Sequence, residues 1–427
     1  MSLAWVGVSL IYAMGWATGL SEIMHPIFAW IIITAIAIIP GFAYCMLFTG
    51  LLLDKRPQFE WQETLPDTTI MIAMYNEEGD IAATIDSIKA QEYPGKVQVI
   101  LIDDGSTDDT LQTVYVAVNE TEHDPEKFDF QILALGENQG KAAALNDGLP
   151  HVKTEHFITL DADTRLYKDA IRNIVTNIVH GPENTAAVAG AVLVRNSRES
   201  FMGMLQEWDY FHGMAVIKRI QSMLQGTLVA QGAFSIYDTE VINELGGWDT
   251  DSVGEDIVLT WGLRAKDYRV GYAENAFSFT SVPETYLAFI KQRIRWSKGL
   301  IEAFRKYPSV LKEVKKNSLF VWLNATFPYT DLILGTVFIP GVIAALFFQW
   351  YAIAGVMTLL LLPLAIAINA LMYYTQTKIF KQYGLEVRTN FLTLILYITL
   401  YYVMTVPASI IGYYAELFSL KKGWGTK

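Results

Sequence analysis

Acidic residues recur in this chain where apolar runs stop. Tyr75-Asn76-Glu77-Glu78 follows a run ending at Met74, Asp103-Asp104-Gly105-Ser106 follows one ending at Ile102, and Asp161-Ala162-Asp163 follows one ending at Leu160. Carboxylates gathered at one edge repel unless a cation or a donor-rich ligand offsets them, so the set points to a divalent metal together with a ribose or base. Standing alone, Asp103-Asp104-Gly105-Ser106 is equally a strand-to-helix turn with capping residues. Farther on, Glu255-Asp256 follows Gly254 and opens a helix over Ile257 to Ala265. Acids there serve either the helix dipole or general-base chemistry. Gln292-Arg293-Ile294-Arg295-Trp296 falls in a helix expected from Thr285 to Phe304. In it Gln292, Arg295 and Trp296 share one face at i, i+3 and i+4, a pattern that also suits a membrane-surface helix with snorkelling bases. A second D-x-D, Asp249-Thr250-Asp251, sits in a Gly-flanked loop and reads as a turn.

Five apolar runs form the strand candidates: Thr69 to Met74, Val97 to Ile102, Phe130 to Leu135, Phe157 to Leu160 and Ala186 to Val194. They alternate with helical stretches, which predicts an α/β domain with a parallel sheet and helices on both faces. In such sheets ligands bind beyond the carboxyl ends of the strands, where the acids stand.

The rest of the chain is of another kind. Of 427 residues, 52% are hydrophobic and 18% charged, with a net charge of −12, a mean hydropathy of +0.27 and a pI of about 5.0. That composition excludes a disordered chain, and its acidity excludes a nucleic-acid binder, which needs basic surface. The lone Cys45 makes neither an intrachain disulfide nor a zinc cluster. Residues 1 to 53 hold one acid, Glu22, and no Lys or Arg; residues 54 to 318 hold 26 bases against 40 acids. A polar domain is thus inserted between apolar blocks. Residues 3 to 20 and Ile27 to Leu53 predict a hairpin of two membrane helices, and 320 to 348, 351 to 374 and 391 to 418 are each long enough to span. The divisions are 1–54, two membrane helices; 55–282, the polar domain; 283–318, amphipathic interface helices; and 319–427, a C-terminal membrane region.

Bases flank the polar domain: Lys55 and Arg56 at its entry, Arg305, Lys306, Lys312, Lys315 and Lys316 at its exit, with Lys378, Lys381 and Arg388 in a later loop. The positive-inside rule puts that side in the cytoplasm. Three C-terminal crossings would leave the basic tail Lys421 to Lys427 outside, contrary to the same rule. One segment, 320 to 348 or 391 to 418, is therefore expected to be re-entrant, interfacial or broken.

With these motifs in order over residues 66 to 300, the chain resembles the membrane-embedded members of glycosyltransferase family 2, the poly-N-acetylglucosamine, hyaluronan, chitin-oligosaccharide and cellulose synthases. The resemblance implies a GT-A-type, Rossmann-like catalytic domain inserted between α-helical transmembrane segments. It implies that Tyr75 stacks on uracil, Asp104 binds the uridine, and Lys141 of Gly140-Lys141-Ala142 contacts the nucleotide. Asp161 and Asp163 match the D-x-D that holds uridine diphosphate through Mg2+ or Mn2+, with Asp163 as metal ligand. Asp256 matches the catalytic base, beside Glu255; Arg295 matches the pyrophosphate ligand and Trp296 the platform for the acceptor sugar. Glu77, Asp103, Gln292 and Arg293 complete the expected substrate-binding set.

Three departures stand out. The family's T-E-D reads Gly254-Glu255-Asp256, Asp238 stands where relatives carry a base after the Gln231–Tyr237 segment, and no gating-loop motif of cellulose synthases is evident. The tail Trp424-Gly425-Thr426-Lys427 is similar to the W-G-T-R ending of hyaluronan synthases. The expected activity is inverting, processive polymerisation of a β-linked polysaccharide from a UDP-sugar, UDP-N-acetylglucosamine favoured, at the cytoplasmic face of the inner membrane. The expected partners are the donor, the growing chain, the lipid bilayer and a small membrane or export subunit. The alternative is transfer of one sugar to a lipid, or an inactive assembly subunit.

Overall fold

The computed structural model describes residues 2–54, 59–60, 62–120, 124–224, 227–315, 318–359, 362–387 and 391–419. Lys55, Arg56, Lys316, Arg388 and the tail from 421 onward lie outside them, and with them part of the orientation reading.

An eight-stranded sheet forms the centre: β1 Thr68–Met74, β2 Val97–Asp103, β3 Phe128–Ala134, β4 His156–Leu160, β5 Arg165–Leu166, β6 Thr185–Val194, β7 Phe234–Asp238 and β8 Arg269–Thr280. Its order is β3-β2-β1-β4-β7-β6-β8-β5. The first four are parallel, and β1, β2 and β4 are buried on both faces, as unbroken apolar runs require. Ile81, Ile85, Val114, Ile171 and Ile174 cover one face, while Ala144, Leu145, Leu259 and Leu263 cover the other.

The expectation of a parallel sheet holds for half of it. β7 runs antiparallel to both neighbours, pairing Leu160 with Phe234 and His156 with Asp238 on β4. β5 is antiparallel to β8, and β6 and β8 are parallel. The Gln231–Tyr237 segment, absent from the strand candidates, thus supplies a central strand from Phe234. Hydrophobic pattern reports burial, and burial is blind to strand direction. Asp238, the residue standing in place of a base, caps the helix Thr239–Leu245 by accepting the Val241 N–H at 3.0 Å.

Among the described residues three helices are long and apolar enough to cross a membrane: Pro26–Leu52, Ser318–Phe348 and Leu392–Leu417. The helix Ser2–Ser21 folds back on the first, with Ala13, Ala17 and Leu20 packed among Ala29, Ile32 and Ile33. Within and beyond the expected span at 351 to 374 the described residues form the helices Val356–Leu359 and Leu362–Gln382, and Phe380 of the second packs edge-on against Phe277 and Phe211.

Leu392–Leu417 contacts the catalytic half of the molecule at both ends. Near its start Trp208 Nε1 donates to Thr393 Oγ1 at 3.0 Å, and at its end Arg305 donates to Glu416 at 3.0 Å and to the Leu417 carbonyl at 2.7 Å. Between them it lies along Tyr286–Lys306, so close at Gly412 that a Cβ there would meet Ser297 Cβ at 2.6 Å. Two acids of the apolar blocks are paired: Glu416 with Arg305, and Asp331 with the Tyr402 hydroxyl at 2.6 Å. The N-terminal span is tied down too, since Arg219 bridges Asp54 at its exit to Glu274 of β8.

Candidate active site

The carboxyl ends of β2, β1 and β4 lie side by side, so the acids that follow them share one edge. Two loops are stapled there. Asn76, at φ 55°, takes the Thr107 N–H at 2.8 Å, and its own N–H donates to Ser106 Oγ at 3.0 Å; the Glu77 N–H donates to Thr110 Oγ1 at 2.7 Å. Tyr75 is half-buried beside them.

Asp103 and Asp104 are each 3% exposed. Asp104 accepts the N–H groups of Gln139 and Gly140, both at 2.8 Å. Gly140, at φ 94°, turns the chain into the helix Lys141–Gly148. Asp104 therefore acts on the loop that aims Lys141. Asp103 lies within hydrogen-bonding range of the Ser106 N–H, at 3.3 Å.

Lys141 is the hub. Its ammonium is ion-paired with Asp161. Burial alone would lower its pKa, but Asp161 first, then Glu255 and Asp256, hold it above the ordinary lysine range. Glu255 is pushed up by burial and by Asp256, against the pull of Lys141 and Arg295. These links bring together residues 141, 161, 255, 256 and 295. Asp163 accepts the Thr280 hydroxyl at 3.2 Å from the end of β8.

Asp256 opens the helix Glu255–Ala265. Its Oδ2 faces the Gly232 N–H at 3.4 Å and its Oδ1 takes the Ile257 N–H at 2.7 Å. Gly254 explains the departure from T-E-D: a Cβ there would stand 2.5 Å from Gly299 Cα, so only glycine permits the backbone contact with Tyr286–Lys306.

On that helix Arg295 and Trp296 are exposed, Trp296 by 43%. Gln292 is half-buried, and its Oε1 has no hydrogen-bond partner among the described residues. Arg293 is placed otherwise than a substrate ligand. It is buried, pairs with Asp209 at 3.0 Å and stacks on the Trp296 ring at 4.0 Å. One residue's rotation about the helix takes it off the face shared by 292, 295 and 296.

Two groups had no sequence signal. Tyr210, from the helix Phe201–His212, sits in the field of Asp161 and Asp163 with its ring 6.3 Å from Trp296; burial pushes its phenol up to about 12. Lys218 donates to the Val229 carbonyl at 2.8 Å and to Gln231, and burial brings it down to about 7 despite Asp256. Neither follows a strand or belongs to a spaced motif.

Among the described residues no three Asp, Glu, His or Cys side chains converge as a metal cage. The pair Asp161 and Asp163 nevertheless fits a hard divalent cation of the kind that keeps one or two carboxylates and takes other ligands from phosphate and water. Asp249 and Asp251 form the expected turn, with Asp249 paired to Lys306 at 2.7 Å.

The chain is similar to known proteins in part of its sequence and in its fold. Residues 69–246 match the model of the family described as glycosyl transferase family 2. The poly-beta-1,6-N-acetyl-D-glucosamine synthase of Staphylococcus aureus (strain MSSA476) is 34% identical over 270 residues, 63% of either chain. That of Staphylococcus epidermidis is 33% identical over 275 residues, 64% of this chain and 63% of its own. The match thus spans under two thirds of these relatives' length. The structure of mannosyltransferase PcManGT from Pyrobaculum calidifontis, solved with GDP-Man and Mn2+, superposes with a TM-score of 0.63 at 21% identity, over 92% of this chain and 99% of its own. The GT-A-like fold is thereby established.

Proposed function

We propose, for a chain whose residues 69–246 match the model of glycosyl transferase family 2, that it is a membrane enzyme which builds a β-linked polysaccharide from UDP-N-acetylglucosamine. The observation that carries the reading is the cluster of Lys141, Asp161, Glu255 and Asp256, which Gly254 joins at Gly299 to the helix that carries an exposed Trp296 and itself lies along an apolar helix. The product for which these relatives are named supports the choice of sugar.

Asp161 and Asp163 would hold a divalent cation, which when bound supplies positive charge to the departing diphosphate. Lys141 and Arg295 add to that charge from the protein side. Asp256 takes the proton of the acceptor hydroxyl, oriented by the Gly232 N–H. A single base opposite the leaving group gives inversion, so an α-linked donor yields a β-linkage. The exposed ring of Trp296 offers a flat apolar face to the acceptor sugar.

We place this site on the cytoplasmic side. Leu392–Leu417 touches the domain at both ends, which suits the segment expected to be re-entrant or interfacial. The test is incubation of the protein in lipid with individual radiolabelled UDP-sugars and Mg2+, followed by sizing of the product. Long polymer from UDP-N-acetylglucosamine supports the proposal; a single-sugar lipid product would replace it with the lipid-transferase reading.

A further inference from the structure

Arg293 makes contacts that no substrate role explains. Its guanidinium lies 4.0 Å from the centre of the Trp296 ring and 5.0 Å from that of Phe289, and its terminal nitrogen is 3.0 Å from Asp209 Oδ2. The same Asp209 oxygen accepts the Tyr401 hydroxyl at 2.8 Å, and the Tyr401 ring packs 5.6 Å from Phe289. Arg293 is 8% exposed and Tyr401 5%, so the charge is taken out of water and depends on these partners. A planar cation stacked on an indole and locked by a carboxylate fixes the plane of that indole.

Three elements meet here: Tyr286–Lys306, which carries Trp296; Phe201–His212, which carries Asp209; and Leu392–Leu417, which carries Tyr401. Tyr210, next to Asp209, lies in the field of the D-x-D acids. We infer that Arg293 is a positioning residue which holds Trp296 at the angle needed by the acceptor, and that the Tyr401–Asp209 hydrogen bond makes this angle depend on the seat of the apolar helix Leu392–Leu417. Seating of that helix and capture of the chain end are thereby coupled. The inference rests on the transferase reading and deepens it, because it assigns acceptor handling to residues off the reacting face.

The test uses full-length protein in lipid with UDP-N-acetylglucosamine, Mg2+ and a short β-linked N-acetylglucosamine oligosaccharide. Tyr401→Phe removes one hydroxyl and keeps the ring; Arg293→Lys keeps the charge and loses the plane. Both are expected to raise KM for the oligosaccharide roughly tenfold, the effect of one lost hydrogen bond to a charged group, and to shorten the product. Donor KM and UDP affinity should stay at wild-type values, which a general loss of folding would not allow. In a Trp296→Ala background Tyr401→Phe should add little, since its effect passes through the missing ring. Wild-type acceptor KM and product length in Tyr401→Phe, or full additivity with Trp296→Ala, would overturn the coupling. If the wild type transfers no sugar at all, the functional reading fails first and separately.

Discussion

Lys141 and Asp161 are ion-paired across the sheet edge, one at the start of the helix after β3 and the other just past the end of β4. The pair neutralises one of the two D-x-D carboxylates, and Glu255 and Asp256 act on the same lysine. Lys141→Met removes that charge from a cluster of acids. Its predicted effect is a loss of UDP affinity of about ten- to a hundredfold, the weight of a charged hydrogen bond. Titration calorimetry with UDP and Mg2+ checks it; unchanged affinity would remove Lys141 from the nucleotide site.

Asp163→Ala should abolish the part of UDP binding that depends on Mg2+ while leaving the weaker metal-free binding in place. The comparison is UDP affinity with Mg2+ and with a chelator. A variant whose affinity still rises on adding Mg2+ as in the wild type would deny the metal role.

How far the sequence reached depended on the kind of signal. Met74, Asp103 and Leu160 end strands where apolar runs end, because burial on both faces of a parallel sheet demands such runs. The direction of β7 was not legible, since antiparallel and parallel neighbours bury Phe234 and Ile236 alike. The resemblance places Arg293 in one set with Arg295, yet adjacent helical residues point about 100° apart, and its partners Asp209 and Tyr401 come from distant segments. Tyr210 and Lys218 reach the site from consecutive helical segments, Phe201–His212 and Gly213–Lys218, that no motif marks.

Gly254→Thr restores the triplet common in the family, and here it should do harm. Its Cβ would meet the Gly299 backbone at 2.5 Å, where no side chain can swing away. Overpacking of this kind costs about 1–3 kcal/mol, and the shift displaces Glu255 and Asp256. The measurement is the thermal unfolding midpoint alongside the transfer rate; a variant equal to wild type in both would contradict the close approach.

Lys218 supplies a pH test. Its folded pKa, about 7, lies below the ordinary 10.5. Between those values the unfolded chain binds the extra proton, so this group's contribution to stability rises with pH across about 7 to 10.5 and is least favourable below 7. Lys218→Met should flatten that dependence in denaturant titrations. An identical pH slope in variant and wild type would show that the lysine titrates normally.

The most direct test of the account concerns Asp256. Asp256→Asn keeps shape and removes the base, so UDP release in the presence of oligosaccharide acceptor should fall by on the order of 10²–10⁴-fold, while UDP affinity measured on the same preparation stays at the wild-type value. Turnover near wild type, or a loss of UDP binding as large as the loss of rate, would contradict the assignment of Asp256 as the group that activates the acceptor.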